Sequence, residues 1–203
     1  MRISIPRWFV FLAAMLAGSA WAGLAPQDLI MDAANKTLAK LKQDRALIAK
    51  EPTRLYALVN EFVIPHFDFE RMAQWVLGKH WRTASADEKQ RFIAEFRTLL
   101  VRTYATSLQD FMDRKITYLP FRDSLDSDEV TVRSQVEQSG GFPIPITYRL
   151  SKKEGVWLVF DVTIDEVSLV SNYRTSFGNE IRQGSVAKLI EKLAVRNQQA
   201  SAK

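Results

Sequence analysis

Large apolar side chains recur at spacings of three and four along the first half of this chain, most densely between Phe62 and Tyr104. Asp68 is placed to cap a short helix through Met72, Trp75 and Val76, with Gly78 as a stop just past its end. Ser85-Ala86-Asp87-Glu88 has the form of a capping box and opens a much longer helix. Along it Phe92, Phe96, Leu99, Leu100, Tyr104, Leu108 and Phe111 fall on one face. Upstream, Pro26 suits the first turn of a helix running to about Lys50, with Leu29, Ile30, Ala33, Leu38, Leu41 and Leu47 as a loose apolar stripe. Pro52 ends that helix, and a further one from about Thr53 carries Leu55, Val59, Phe62 and Val63 as far as Pro65. Up to about Asp113 the pattern is helical.

The period then changes from 3.6 to 2. Lys115 to Arg122, Glu129 to Glu137, Pro143 to Lys152 and Val156 to Ile164 read as strands, separated by short turns rich in Asp, Ser, Gly and Lys. Such short connections make an antiparallel sheet. In the third strand Ile144, Ile146, Tyr148 and Leu150 share a face. In the fourth, Leu158, Phe160, Val162 and Ile164 are expected on one face and Trp157, Val159, Asp161 and Thr163 on the other. From about Leu169 the helical period returns through Tyr173, Phe177 and Ile181, breaks at Gly184, and resumes through Leu189, Ile190 and Leu193. Asn197 to Lys203 are small and polar and are expected to be disordered. Helices segregated from an antiparallel sheet predict an α+β protein.

The N-terminus adds a destination. Arg2 and Arg7 precede an apolar run from Trp8 to about Ala17, and Ala20-Trp21-Ala22 is a small-x-small site ahead of Gly23. The pattern predicts a secretory signal peptide over residues 1–22, too short and too lightly flanked for a transmembrane span. The remaining residues, about 180, suffice for one domain with a substantial core. With no cysteine in the chain, neither a disulfide framework nor a thiolate site is available. Setting aside Arg2 and Arg7 leaves 26 basic against 23 acidic residues, a net charge of +3. That is a mild bias and not a nucleic-acid signature, because Lys36, Lys40, Lys42 and Arg45 alternate with acidic and apolar neighbours.

Candidate chemistry is sparse. His66 and His80, the only histidines, flank helix ends among aromatic residues and make a poor metal set without a partner cluster. Asp161, Asp165 and Glu166 lie near a strand end where a general base could sit, but Asp161 falls on the Trp157 and Val159 face and suits a structural hydrogen bond or turn. There is no G-x-S-x-G elbow, H-E-x-x-H helix or phosphate-cradling glycine loop. Tyr173-Arg174 has the form of a stacking and phosphate pair, with a structural contact as the plainer reading. The excess of large apolar side chains either fills a core or lines a cavity, and composition alone does not choose.

A resemblance chooses. Pro65, Asp68-Phe69, Met72-Ala73, Val76-Leu77-Gly78, Trp81-Arg82, Phe92, Phe96, Leu99-Leu100 and Tyr104 form one block. Trp157, Asp161-Val162, Val167-Ser168-Leu169, Asn172-Tyr173-Arg174 and Phe177 form a second. Together they closely resemble the toluene-tolerance (MlaC-type) family of periplasmic phospholipid-binding transport proteins. Glu166 departs from the pattern, standing where a glycine is expected, so the turn there should differ in geometry. The resemblance implies a helical subdomain closing over a curved NTF2-like sheet around an apolar lipid cavity. On that basis a single lipid-binding domain over residues 23–196 is expected, with a helical part at about 26–113, the sheet at about 114–165, terminal helices at about 169–195 and a tail at 197–203. Met72, Val76, Trp81, Phe96, Leu99, Leu100, Tyr104, Tyr148, Phe160, Val162 and Tyr173 are the expected lipid-contacting residues. No cofactor and no nucleic acid are expected, and the cargo would be a diacyl phospholipid. The implied partners are an outer-membrane lipoprotein-porin complex and an inner-membrane ABC transporter with an MCE-domain subunit, with the Gram-negative periplasm between them. The residues themselves leave two other classes open: an NTF2-like enzyme acting on a hydrophobic small molecule, and a periplasmic chaperone or adaptor.

Overall fold

The computed structural model describes residues 24–138 and 140–199. The expected signal peptide and the last four residues lie outside them. Helix α1 spans Pro26–Gln43, with Pro26 at its first turn. The stripe expected to continue to Lys50 is broken at Asp44, and α2 (Arg45–Lys50) follows as a separate turn. The buried Asp44 carboxylate bonds Lys40 at 3.1 Å and Arg54 at 3.2 Å, which fixes the bend against α3 (Thr53–Phe62). A 3₁₀ turn, Ile64–His66, leads to Phe67, which bridges Val159 of the sheet in parallel.

Asp68 caps α4 (Phe69–Leu77), accepting from the Arg71 N–H at 2.9 Å while its own N–H donates to the Val159 carbonyl at 2.9 Å. Helix α4 is thereby pinned to the sheet at its first residue. After a short α5 (His80–Thr83), both hydrogen bonds of the capping box form: Glu88 N–H to Ser85 Oγ at 3.1 Å and Ser85 N–H to Glu88 Oε2 at 2.8 Å. They open α6 (Ala86–Tyr104). The long helix does not reach Phe111. At Ala105 and Thr106 the backbone switches to i→i+3 hydrogen bonds before α7 (Ser107–Phe111), which turns Leu108 and Phe111 off the α6 stripe.

Five strands follow in sequential antiparallel order: β1 (Ile116–Tyr118), β2 (Glu129–Val136), β3 (Ile144–Lys153), β4 (Val156–Ile164) and β5 (Val167–Ser168). Strand β1 is shorter than expected because Pro120 has no N–H to continue the ladder. The β4 faces also differ from simple alternation. Arg149 pairs with Asp161 but Leu150 pairs with Val159, leaving Phe160 as the extra residue of a β-bulge. Trp157, Val159, Val162 and Ile164 therefore share the concave face, while Phe160 packs with the helical core. The departure at Glu166 is also explained. Ile164 pairs with Val167 across a two-residue loop in which Asp165 and Glu166 both have positive φ, +48° and +64°, the region that favours glycine.

Helix α8 (Leu169–Gln183) is capped by Ser168, and α9 (Val186–Gln199) closes on α6. Residues 197–199 were expected in a disordered tail but belong to α9. Asn197 is buried and donates to the Glu95 carbonyl and carboxylate at 2.9 and 2.7 Å, which holds the last turn in place. One core joins α4, α6, α8, α9 and Phe160, a second lies between α1 and the concave face, and a third joins α1, α2, α3 and the end of α6. No described helix is long and apolar enough to cross a membrane.

Candidate functional site

Where these cores meet, the side chains do not fill the space. A cavity of about 260 Å³ lies between the concave face of the sheet and a roof made by α1, α3, α4, α6 and α7. Each wall has a local cause. Helix α1 presents Ala33 and Ala34, whose small side chains leave room beneath the helix. The pinned start of α4 directs Phe69 and Met72 inward, and the break after α6 brings Leu108 and Phe111 onto the wall. The bulge at Phe160 keeps Val159, Val162 and Ile164 together on the floor.

Of the expected contact residues, Met72, Leu100, Tyr104, Tyr148 and Val162 line this cavity. Val76, Trp81, Phe96, Leu99, Phe160 and Tyr173 belong instead to the helical core. Phe96 stacks on Phe92 at 5.6 Å between ring centres and meets Tyr173 edge-on at 5.3 Å, so it closes the space between α6 and α8. Phe160 points out of the sheet, with the Arg71 and Arg149 guanidinium groups 4.0 and 4.6 Å from its ring. A filled core and a lined cavity thus coexist, divided along α6 between Leu99 and Leu100.

Sequence reasoning missed the α1 wall and the 3₁₀ segment. Ala33 was visible only as part of a loose stripe, although adjacent alanines on an apolar face are the available signal for a helix that stands over a space. His66, which the sequence marks only as a poor metal ligand at a helix end, lines the cavity beside Phe67.

Few polar groups reach the interior. Thr37 Oγ1 is satisfied by the Ala33 carbonyl at 2.6 Å. Burial pushes the Tyr104 phenol up to about 12, with Tyr173 adding to the shift, and burial likewise raises Tyr148. Burial lowers the His66 pKa, with Asp32 acting against the shift and Lys36 with it. At neutral pH the lining carries no fixed charge and offers mainly non-directional packing.

The other chemical candidates are placed elsewhere. Asp161 lies on the outer face opposite Arg149, where its buried carboxylate accepts from Ser168 Oγ at 2.7 Å and the Val170 N–H at 3.2 Å, securing the start of α8. His80 sits in α5, away from the lining. Among the described residues no group of His, Asp and Glu could hold a metal ion.

The family model described as MlaC protein matches residues 31–195 of the chain. The intermembrane phospholipid transport system binding protein MlaC of Haemophilus influenzae is 24% identical over 199 residues, covering 94% of this chain and 93% of the relative. The toluene tolerance protein ttg2D of Pseudomonas putida is 23% identical over 163 residues, covering 80% and 75% respectively. Among solved structures, a phospholipid-binding protein from Ralstonia solanacearum, determined in complex with a phospholipid, is similar at a TM-score of 0.80 and 31% identity. The match covers 88% of this chain and 99% of that one.

Proposed function

The chain belongs to the MlaC family, and from that premise we propose that it is a phospholipid-binding transport protein whose cavity takes the acyl chains of a diacyl phospholipid. The observation that carries this reading is the apolar cavity between α1 and the concave face, in a fold whose Ralstonia solanacearum counterpart is described in complex with a phospholipid. Each buried methylene is favoured by about 0.8 kcal/mol, so a lipid with about thirty of them faces a gross cost of roughly 25 kcal/mol on entering water. An equally apolar protein interior offsets most of that cost without any bond being made or broken. No catalytic role is assigned.

At about 260 Å³ the cavity falls below the roughly 300–1,000 Å³ that drug-sized ligands occupy, and two acyl chains are larger still. Loading therefore uses the open side of the cavity or moves its walls apart. Helix α1 is the wall suited to yield: it presents small side chains to the space, and Lys42 near its end, with Arg45 of α2, is tied to Asp113 beyond α7 by exposed ion pairs at 3.7 and 2.5 Å.

In this reading the protein works in the Gram-negative periplasm, reached through a cleaved signal peptide. It passes phospholipid between an outer-membrane lipoprotein-porin complex and an inner-membrane ABC transporter with an MCE-domain subunit, maintaining outer-membrane lipid asymmetry. Transfer of labelled phospholipid from donor to acceptor vesicles tests the carrier step. The rate should rise in proportion to added protein, and a rate equal to the protein-free control would overturn it.

A further inference from the structure

The concave face of the sheet is apolar except along one diagonal. On β2 the inward positions are Val130, Val132, Ser134 and Val136, and Ser134 is 1% exposed. No hydrogen bond of normal geometry satisfies its hydroxyl, which faces the Tyr148 phenol. Ser134 stands directly opposite Tyr118 on β1, and diagonally from Tyr148, whose own partner on β2 is Val132. Diagonal neighbours on one face lie within reach of aromatic side chains. The groups sense one another: burial pushes the Tyr118 phenol up to about 12 with Tyr148 adding to the shift, and the Ser134 hydroxyl opposes the rise that burial imposes on Tyr148. Tyr148 is the member that lines the cavity.

Folded proteins pair nearly all buried hydroxyls, and rotation of the Ser134 O–H toward the Tyr148 phenol oxygen pairs it within the chain, which leaves the Tyr148 O–H on the cavity wall as the donor a guest would meet. Both phenols stay protonated at neutral pH, no cation accompanies them, and an unpaired anion would be costly there. The fitting group is a neutral hydrogen-bond acceptor.

We propose that Tyr148, backed on the sheet by Ser134 and Tyr118, forms a polar point on the wall of the apolar cavity that receives the ester carbonyl of an acyl chain. The subsite rests on the phospholipid reading above. Tyr148 donates its O–H to the carbonyl oxygen, and the Ser134 hydroxyl rotates to donate to the phenol oxygen, which satisfies the orphaned group. An ether oxygen is a poorer acceptor than a carbonyl, so ester-linked lipids are preferred.

The test incubates the full protein with vesicles containing equal amounts of diester and diether phosphatidylcholine of matched chain length, then measures the bound ratio by mass spectrometry. Both lipids compete for one sample, so differences in overall loading cancel. Wild type should enrich the diester roughly three- to tenfold, the ratio that one neutral hydrogen bond supplies. Tyr148→Phe should bring the ratio to near one, and Ser134→Ala, which keeps the phenol, should reduce it. A wild-type ratio near one, as expected if ordered water alone fills the cluster, would overturn the subsite, as would an unchanged ratio in Tyr148→Phe. Loading of neither lipid would overturn the phospholipid reading itself, whereas loading of both without preference overturns the subsite alone.

Discussion

Phe96 and Leu100 sit one helical turn apart on α6 and face different volumes, a packed aromatic cluster and the cavity. Their neighbours should respond differently to substitution. Ala34→Phe directs new bulk into empty space, so bound phospholipid per protein should fall several-fold while the melting temperature holds or rises. Phe96→Ala should instead lower stability by about 3–5 kcal/mol in denaturant titration, without a direct loss of lipid contact. Equal lipid content in the two folded variants would contradict the division drawn along α6. His66 makes a separate prediction, because it is the lining residue that can gain charge near neutral pH. Its folded pKa lies below the ordinary 6.5, first through burial, with Asp32 raising it and Lys36 lowering it. The unfolded chain therefore takes up this proton first. Its share of stability is intact above about pH 6.5, declines as pH falls, and levels off beneath the lowered value. Denaturant titrations of His66→Gln should show a flatter pH dependence than wild type across that window; matching slopes would mean that His66 has the same pKa in the folded and unfolded chains.

At the scale of elements, legibility followed the local character of the signal. The Asp68 cap, the Ser85 capping box and the stop at Gly78 were readable because each depends on neighbours within a few residues. The Phe160 bulge was not, since residues 156–160 are all apolar and leave the face of each undecided, and only pairing with β3 reveals the extra residue. Strand β5, two residues long, has too few positions to show a period. The break at Asp44 depends on Arg54, ten residues away, while Ala33 and Ala34 looked like a weak stripe because a missing side chain leaves no apolar mark. For the same reason five expected contact residues line the cavity and six fill the adjacent core: all are large and apolar, and periodicity does not separate two faces that both avoid water. The β4–β5 turn gives this scale its prediction. Glu166 holds φ at +64°, so Glu166→Gly should stabilise the protein by roughly 0.5–1 kcal/mol after the added unfolded-state entropy of glycine is counted. A lower melting temperature would show that the Glu166 side chain contributes more than its backbone costs.

The whole molecule couples these scales. Capped helices and a bulged sheet hold several apolar walls apart, and the partly open space of about 260 Å³ between them presents apolar surface that a hydrocarbon guest would cover. A protein built this way is more stable with a hydrocarbon guest than without one, and a carrier needs a guest that is held by packing and can be given up to another apolar site. The most direct test of that claim is mass spectrometry of the organic extract from protein purified from its native compartment without detergent. Diacyl phospholipid should be present in stoichiometric amount. Well-folded protein that yields an extract free of phospholipid would contradict it.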